Sequence, residues 1–396
     1  MYTHLMKKKE KIDNYFRDNS YENYLTRIIN CKDDDSCWCD SGIKFKDCHK
    51  QYRGKKVNIG KINFLMSQIK KKKMCLHPDK NSCSGKIIDA HSIQNSRSLE
   101  SISENGFIYR FELGKKELDD WMQYQTLMPK KIGKSITSTF KGFCSYHDRE
   151  LFKEIDAKPI IPTKEQSVLL SIRSLAKEIY TKTSVLDIKN LSKEFQTSDS
   201  PGLLAMSHDI LKLSHDGNKL GMEDLWNEYI NYFLIYNNKD FSKINRLIIK
   251  IRNVPEILCS TCFAPEFDIN GNILQDLLIN DPLEYLTFEI FTDNNHGIIH
   301  LCWYDNFEYC KRFADSIKNC TDIPNTIVKL ALGISENHAF RISWFDSLSI
   351  LKKKGLMNLM MANIPSFPEM KINTNYIFND NKQYVNWTVE EIVNDY

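Results

Sequence analysis

The sequence lacks long hydrophobic runs. None of its 396 residues lies in a stretch of about eighteen apolar residues, and residues 1–9 are not followed by an apolar segment. We therefore expect neither a membrane-spanning helix nor a secretory leader, and predict a cytoplasmic chain without membrane contact. Glycine-rich phosphate loops, nucleophile elbows, internal repeats and extended low-complexity segments are missing as well, so no common signature of a nucleotide-binding enzyme or serine hydrolase is present.

The composition is that of a globular protein, with 42% hydrophobic and 27% charged residues. The length allows two or three domains and a substantial core, so metal ions are not needed everywhere to hold the fold together. Twelve cysteines in a chain that we predict to be cytoplasmic favour metal binding over disulfides, because a reducing cytosol keeps thiols free. Those from residue 259 onward lie among apolar residues and are predicted to be buried.

Cysteine and histidine are concentrated in the first 150 residues. The members of this group are Cys31, Cys37, Cys39, Cys48, Cys75, Cys83, Cys144, His49, His77, His91 and His147. Positive charge is concentrated there too: residues 1–73 carry 18 Lys and Arg against 9 Asp and Glu, a net +9 in a chain of net +3. This asymmetry predicts contact with an anionic partner, nucleic acid or ribosomal RNA, although a solvated lysine-rich surface would have the same composition.

The clearest metal-ligand pattern occupies residues 37–49. Cys37, Cys39, Cys48 and His49 form a C-x-C-x8-C-H arrangement, which is a complete ligand set for one tetrahedral zinc ion. Ser41-Gly42 supplies a chain reversal between the two ligand pairs. Four protein ligands leave no open position for a substrate, so this zinc is predicted to be structural.

The same stretch resembles the SEC-C motif, a short zinc module known from the C-terminal tail of the preprotein-translocase motor SecA. The shared features are the four ligands, the Ser-Gly pair and the Lys44-Phe45-Lys46 run; Trp38 and Asp40 stand where proline and glycine are common. The resemblance implies zinc held by Cys37, Cys39, Cys48 and His49, in a module that docks a protein partner.

A second, more widely spaced group of ligands follows. Cys75 and Cys83, with seven residues between them, precede a predicted strand at Ile87-Ile88, and Cys144 and His147 come after a long insertion. This pattern predicts a second zinc ion. His91 lies where the predicted strand ends, and from spacing alone it is either outside the zinc site or a ligand in place of one of the first two cysteines.

Residues 75–148 resemble, more weakly, the HNH or ββα-metal nucleases and the wider treble-clef group. The resemblance implies a structural zinc at Cys75, Cys83, Cys144 and His147. It implies His91 as the general base that activates water, and Asp89, His147 or Asp148 as holders of a catalytic Mg²⁺ or Mn²⁺ ion. Ala90 stands where an acidic residue or a histidine is common, and Asn95 and Asn105 are candidates for the middle asparagine.

The predicted fold class is α+β, with small zinc modules first, a helical middle and an antiparallel sheet in the C-terminal half. Residues 1–56 would hold an N-terminal helix and the SEC-C module, and residues 57–160 a basic helix and the HNH-like domain. Residues 161–396 would form an α+β domain with helices over 163–251, antiparallel strands over 254–345 and a C-terminal helix. Thr163 and Gln166 form a capping-box pattern at the start of the first of these helices.

Two functions fit these features. One is a metal-dependent HNH-like nuclease that uses His91 as its base. The alternative is a non-enzymatic zinc adapter in which the SEC-C module docks a protein or ribosomal partner. A zinc-binding protein associated with nucleic acid is common to both.

Overall fold

A computed structural model describes residues 21–55, 59–69, 71–112, 127–187, 196–277, 282–362 and 381–396. The chain divides into two compact units that are interleaved along the sequence. Unit 1 comprises residues 1–72, 179–225 and 278–281, and unit 2 comprises residues 73–178, 226–277 and 282–396. The predicted domain boundaries after residues 56 and 160 stay predictions. No helix in the described ranges is long and apolar enough to cross a membrane.

The longer helices within the described ranges vary from one and a half turns to more than ten. They are α1 Tyr21–Asn30, α2 Ile59–Ile69, α3 Ser145–Asp156, α4 Lys164–Asp187, α5 Pro201–Asn238, α6 Glu308–Lys318, α7 Ile323–Gly333, α8 Ile342–Ser347 and α9 Ile350–Ala362. Helix α4 begins with the predicted capping box, since the Gln166 N–H donates to Thr163 Oγ1 at 3.2 Å while the Thr163 N–H donates to Gln166 Oε1 at 3.5 Å.

Strands form two sheets in unit 2. They are β1 Ile87–His91, β2 Phe107–Arg110, β3 Lys130–Gly133, β4 Thr139–Cys144, β5 Ile244–Ile251, β6 Ile257–Phe263, β7 Leu286–Asp293, β8 His296–Tyr304, β9 His338–Phe340 and β10 Val389–Asp395. Strands β1 and β4 form a two-stranded sheet, and the others form an eight-stranded antiparallel sheet in the order β10-β5-β8-β7-β6-β9-β2-β3.

The centre of the large sheet is buried on both faces. Every residue of β7 and β9 is buried, as is all of β8 after His296, and β5 and β6 are nearly as closed to solvent. The predicted pairing of residues 285–291 with 297–304 is confirmed by the antiparallel β7–β8 ladder. Cys259, Cys262, Cys302 and Cys310 are buried, as predicted, whereas Cys320, which was also predicted to be buried, is only half-buried.

The prediction of helix as far as residue 251 is wrong. Helix α5 ends at Asn238, where Lys239 has a positive φ of 53°, and Ile244–Ile251 forms strand β5 in the sheet. A short apolar run rich in isoleucine has no clear helical or strand period, and tertiary pairing decides between them. The predicted C-terminal helix is in fact two helices, α8 and α9, separated by residues 348 and 349.

The core of unit 1 includes the first cysteine stretch. Tyr24 and Ile28 of α1 and Leu204 and Ala205 of α5 pack in one buried cluster with Cys37, Trp38, Phe45 and Cys48. Residues 1–20 of the predicted N-terminal helix lie outside the described residues, and α1 is its described part.

Candidate metal centres

The first candidate centre brings together the four predicted ligands of residues 37–49. One ligand atom from each of Cys37, Cys39, Cys48 and His49 lies within 4.8 Å of every other. His49 Nδ1 is 3.3 Å from Cys37 Sγ and 3.4 Å from Cys48 Sγ, and the sulfurs of Cys39 and Cys48 are 3.7 Å apart. A tetrahedral zinc ion with Zn–S near 2.3 Å and Zn–N near 2.0 Å would separate its ligand atoms by roughly 3.5–3.8 Å, so the set fits zinc.

The loop between the ligand pairs is closed by local hydrogen bonds. The Cys37 N–H donates to the Ile43 carbonyl at 2.8 Å, and Asp40 and Gly42 have positive φ angles of 59° and 71°. Ser41 Oγ lies 3.2 Å from Cys39 Sγ and 3.4 Å from Cys48 Sγ. The Ser-Gly pair thus supplies both the reversal and a hydroxyl partner for the sulfurs.

A buried aromatic and amide shell surrounds this centre. Trp38, 1% exposed, packs against the His49 ring at a centroid distance of 4.3 Å and edge-on against His208 at 5.2 Å. His49 Nε2 lies 2.7 Å from Gln196 Oε1, and Gln196 Nε2 lies 3.2 Å from His208 Nδ1. Burial lowers the pKa of His208 to about 4, so its ring is neutral at neutral pH.

The second candidate centre joins Cys75, Cys83, Cys144 and His147. Their ligand atoms also lie within 4.8 Å of one another. His147 Nδ1 is 3.3 Å from Cys75 Sγ and 3.4 Å from Cys144 Sγ. The donor set and spacing match those of the first centre, so the same argument for zinc applies.

Secondary structure builds the second centre. The Leu76 N–H donates to the Gly142 carbonyl at 2.8 Å, which aligns the Cys75 segment with strand β4. A Cβ atom at position 142 would lie only 2.4 Å from the Phe140 ring, so a larger residue there would force that ring to move. Cys144 ends β4 and caps α3, where its Sγ accepts a hydrogen bond from the His147 N–H at 3.5 Å.

The cap also affects the Cys144 thiol. Burial raises its pKa, but hydrogen bonds from Ser84 and from the His147 N–H outweigh burial and lower the pKa to about 6. A lowered thiol pKa favours the thiolate that a metal ion requires. In the outer shell, His147 Nε2 is 3.0 Å from Ser82 Oγ, and that hydroxyl donates to the Asp79 carboxylate. The His77 ring stacks on His147 at 3.8 Å.

The three residues predicted to be catalytic do not belong to either ligand set. His91 ends β1, opposite Thr139 of β4, and is half-buried. Its Nε2 is buried and has no hydrogen-bond partner, and burial lowers the pKa of the ring. Asp89 is exposed and pairs with Lys141 at 2.5 Å. Asp148, in the first turn of α3, has a pKa that burial raises and that the charge of Arg173 lowers in part.

Hydrogen-bonding residues of both outer shells, and one buried network, could not be found from the sequence. Gln196 is 147 positions from His49 and belongs to no motif, whereas Ser82 lies close to a predicted ligand and carried no distinctive pattern.

In unit 2, His300 bridges Glu289 at 2.8 Å and Ser167 at 2.9 Å. All three side chains are buried without access to solvent, so this arrangement stabilises the sheet.

The predicted basic surface is partly neutralised within the motif. Lys44 and Lys46 pair with Asp34 at 3.1 and 2.8 Å, and Lys50 pairs with Asp33 at 2.7 Å. Lys71, Lys72 and Lys73 are exposed. The side-chain positions of Ile62, Leu65 and Met66 in α2 lie outside the described residues.

Comparison with known protein families identifies one short region of the chain. The family model named SEC-C motif matches residues 35–51. The comparison with curated proteins and the comparison with solved structures each gave no match. Residues 35–51 therefore form a SEC-C motif, and this chain has two Cys₃His clusters that could hold metal ions, consistent with zinc.

Proposed function

We propose that this zinc-binding chain acts on nucleic acid and that residues 75–156 form an HNH-like module that hydrolyses phosphodiesters. The proposal rests on one observation. Strand β4, which pairs with β1, and helix α3 supply Cys144 and His147 to the second metal centre, while His91, on the same strand pair, lies outside both ligand sets and has a buried, unpartnered Nε2. This arrangement separates a structural metal site from a histidine whose Nε2 is not engaged by another group of the protein.

His91 has the properties that a general base needs. Its pKa is below the ordinary histidine value because the ring is buried, so the imidazole is neutral at physiological pH. A buried nitrogen without a partner normally binds an ordered water molecule. In the proposed reaction Nε2 accepts a proton from this water as its oxygen bonds to phosphorus. The phosphorus–oxygen bond to the leaving nucleotide then breaks, and the leaving oxygen takes a proton from solvent.

A catalytic Mg²⁺ or Mn²⁺ ion does not fit the described residues well. The Asp89 carboxylate pairs with Lys141. Asp148 interacts with the positive charge of Arg173, and Arg173 itself pairs with Asp156 at 2.6 Å. In the described ranges, groups of three or more potential ligands occur at the two Cys₃His clusters alone. We therefore assign no step of the reaction to a second metal ion.

The nucleic acid would contact exposed lysines, including Lys71, Lys72 and Lys73. Each lysine–phosphate contact releases counterions, so binding should weaken steeply as salt concentration rises. A binding constant measured against salt concentration would give the number of phosphate contacts.

The decisive experiment compares His91→Ala with His296→Ala in the full chain. His296 is a partly exposed histidine that pairs with Glu390 at 3.3 Å in the same unit, so it serves as the matched control. Supercoiled DNA and structured RNA are the substrates, with and without added Mg²⁺. His91→Ala should reduce nicking about 100-fold or more, the usual contribution of a general base, and leave two equivalents of zinc bound. Full activity in His91→Ala, or loss of zinc from it, would contradict the proposal.

Asp89 pairs with Lys141 and Asp148 interacts with the charge of Arg173, so neither carboxylate suits a catalytic cation. This observation favours a second candidate function, the non-enzymatic adapter. In that case the exposed edge of the SEC-C motif, where Ile43 is 43% exposed, would contact a protein or ribosomal partner. Cosedimentation with purified ribosomes that is lost in Cys48→Ser and kept in His91→Ala, with no nicking by the unmodified chain, would support the adapter.

A further inference from the structure

Gln196 connects a ligand of the first metal centre to helix α5. Its side chain is 1% exposed, and its amide spans the gap between His49 Nε2, at 2.7 Å, and His208 Nδ1, at 3.2 Å. His208 lies in α5, and its ring packs edge-on against Tyr24 at 4.4 Å. These residues all belong to unit 1.

The direction of each hydrogen bond follows from metal ligation. His49 turns Nδ1 toward the sulfurs of Cys37 and Cys48, so a metal-bound His49 carries its proton on Nε2 and donates it to Gln196 Oε1. The amide NH₂ of Gln196 is then the donor to His208 Nδ1. His208 must therefore carry its own proton on Nε2, an atom that is buried and has no hydrogen-bond partner.

The backbone next to Gln196 is held against the end of the motif by separate contacts. The Gly54 N–H donates to the Thr197 carbonyl at 2.9 Å. Gly54 has a φ of +70°, and the Asp199 carboxylate lies 2.9 Å from the place where a Cβ atom at position 54 would stand. Residues 196–199 thus run along the segment that follows His49.

The apolar face of the motif is covered by the same helix. Trp38, Phe45 and Cys48 share a buried cluster with Leu204 and Ala205 of α5. The surface around Trp38 is thereby closed to a partner protein, and what it contacts is the chain's own helix.

We propose that Gln196 is an outer-sphere positioning residue of the first metal centre, through which metal binding and the packing of residues 196–208 on the SEC-C motif are coupled. The Gln196 carbonyl fixes the His49 ring and tautomer for ligation, and the metal-bound ring fixes Gln196 in return. Linkage makes this coupling reciprocal, so a change that weakens either contact weakens the other.

The test measures zinc affinity of the full chain by competition with a chromogenic chelator. A Cys144→Ser background isolates the first centre. Gln196→Leu removes the acceptor for the His49 proton, and it should weaken zinc binding about 10- to 100-fold, as other outer-shell losses do. Gln196→Glu restores an acceptor oxygen and should recover affinity to within a few-fold. Gln275→Leu, which removes a buried amide in unit 2, is the control and should leave this affinity unchanged.

Two results of this measurement would overturn the proposal. One is unchanged affinity in Gln196→Leu, and the other is equal weakening by Gln196→Leu and Gln196→Glu, which would reduce Gln196 to a packing role.

A measurement on the unmodified chain covers the case in which Gln196→Leu does not fold. Nitrogen-15 NMR of histidine-labelled, zinc-loaded protein should show both His49 and His208 protonated on Nε2. His208 protonated on Nδ1 would contradict the proposed chain of hydrogen bonds.

Discussion

The two candidate metal centres have the same donors, three cysteines and one histidine, yet they are constructed differently. In the first, the ligand furthest from His49 is 12 positions away, and a loop with two residues of positive φ closes the site. In the second, Cys75 and His147 are 72 positions apart, and strand β4, helix α3 and two loops must assemble first. A local site is specified by its own loop, whereas a distributed site depends on the fold around it.

The outer shells differ as well. His49 of the first centre is paired with a buried amide, and His147 of the second with a hydroxyl that is bound to the Asp79 carboxylate. The carboxylate places more negative charge behind its histidine than the amide does, which makes that ligand more basic. The two centres should therefore respond differently to the same perturbation.

Removing one ligand should have the largest effect. Cys48→Ser and Cys144→Ser should each lower the zinc content from two equivalents to one, because three ligands hold zinc far more weakly than four. Elemental analysis gives the stoichiometry, and hydrogen exchange should show lost protection within unit 1 for Cys48→Ser and within unit 2 for Cys144→Ser. Loss of both equivalents from either variant would show that the centres are not independent.

Shortening a core side chain beside the second centre should affect that centre alone. Phe143 of β4 is fully buried and packs edge-on against Phe152 at 5.2 Å. Phe143→Ala should destabilise the protein by about 3–5 kcal/mol and weaken zinc binding at the second centre without changing the first. Phe64→Ala, at a phenylalanine of α2 that is 61% exposed, is the control and should change stability little in urea titrations.

The stability of the protein at acid pH should contain a contribution from His338 in the large sheet that can be separated from the effect of zinc release. His338 of β9 donates from Nδ1 to the Ser335 carbonyl at 2.8 Å and accepts from the Phe111 N–H at 3.2 Å, so the fold requires its neutral form. Burial lowers its pKa to about 4. Because the unfolded chain takes up this proton near pH 6.5, stability should fall as pH drops from about 6.5 to 4, by up to roughly 3 kcal/mol, and then level off.

His338→Gln removes that titration. The variant is less stable at pH 7, but its loss of stability between pH 6.5 and 4 should be smaller than that of the unmodified protein. Zinc release affects both proteins equally, so it cancels in the difference between the two pH profiles from urea unfolding. Parallel profiles would show that His338 does not account for the acid sensitivity.

In the unfolded chain, the ligands of the first centre should still bind zinc more tightly than the ligands of the second centre. Closing a loop of 72 positions costs more entropy than closing one of 12, by roughly 1.5 kcal/mol from (3/2)RT ln n. In concentrated urea, Cys144→Ser, which keeps the first ligand set, should therefore bind zinc about tenfold more tightly than Cys48→Ser, which keeps the second. Equal affinities in a chelator competition would refute the entropic account.

The smallest expected effect concerns the turn that follows the first centre. Gly54→Ala should destabilise unit 1 by about 1 kcal/mol, because an L-residue with Cβ is disfavoured at a φ of +70°. Gly217→Ala in α5, where a Cβ meets no atom within 4 Å, should stabilise the helix by a similar amount. Thermal unfolding of the two variants should give shifts of opposite sign.

The sequence predicted some parts of this molecule more completely than others. The four ligands of residues 37–49 could be named because they and the intervening Ser-Gly pair form a contiguous pattern. The ligand set of the second centre could also be named, but the place of His91 stayed open, since spacing cannot show which of five candidates face one point. Strand β5 was missed because its apolar run matches a buried helix as well as a buried strand.

Sequence alone therefore determined the local loop and ligands of the first centre and the β7–β8 hairpin, which depend on contacts between near neighbours. It also determined the α+β class and the ligand types of the second centre. Only the tertiary structure decided that His91 lies outside both ligand sets and that Gln196 supports His49. It also decided that Trp38 is covered by helix α5. These features depend on residues that are distant in the chain, and a hydrogen bond between side chains 147 positions apart leaves no periodic pattern in sequence.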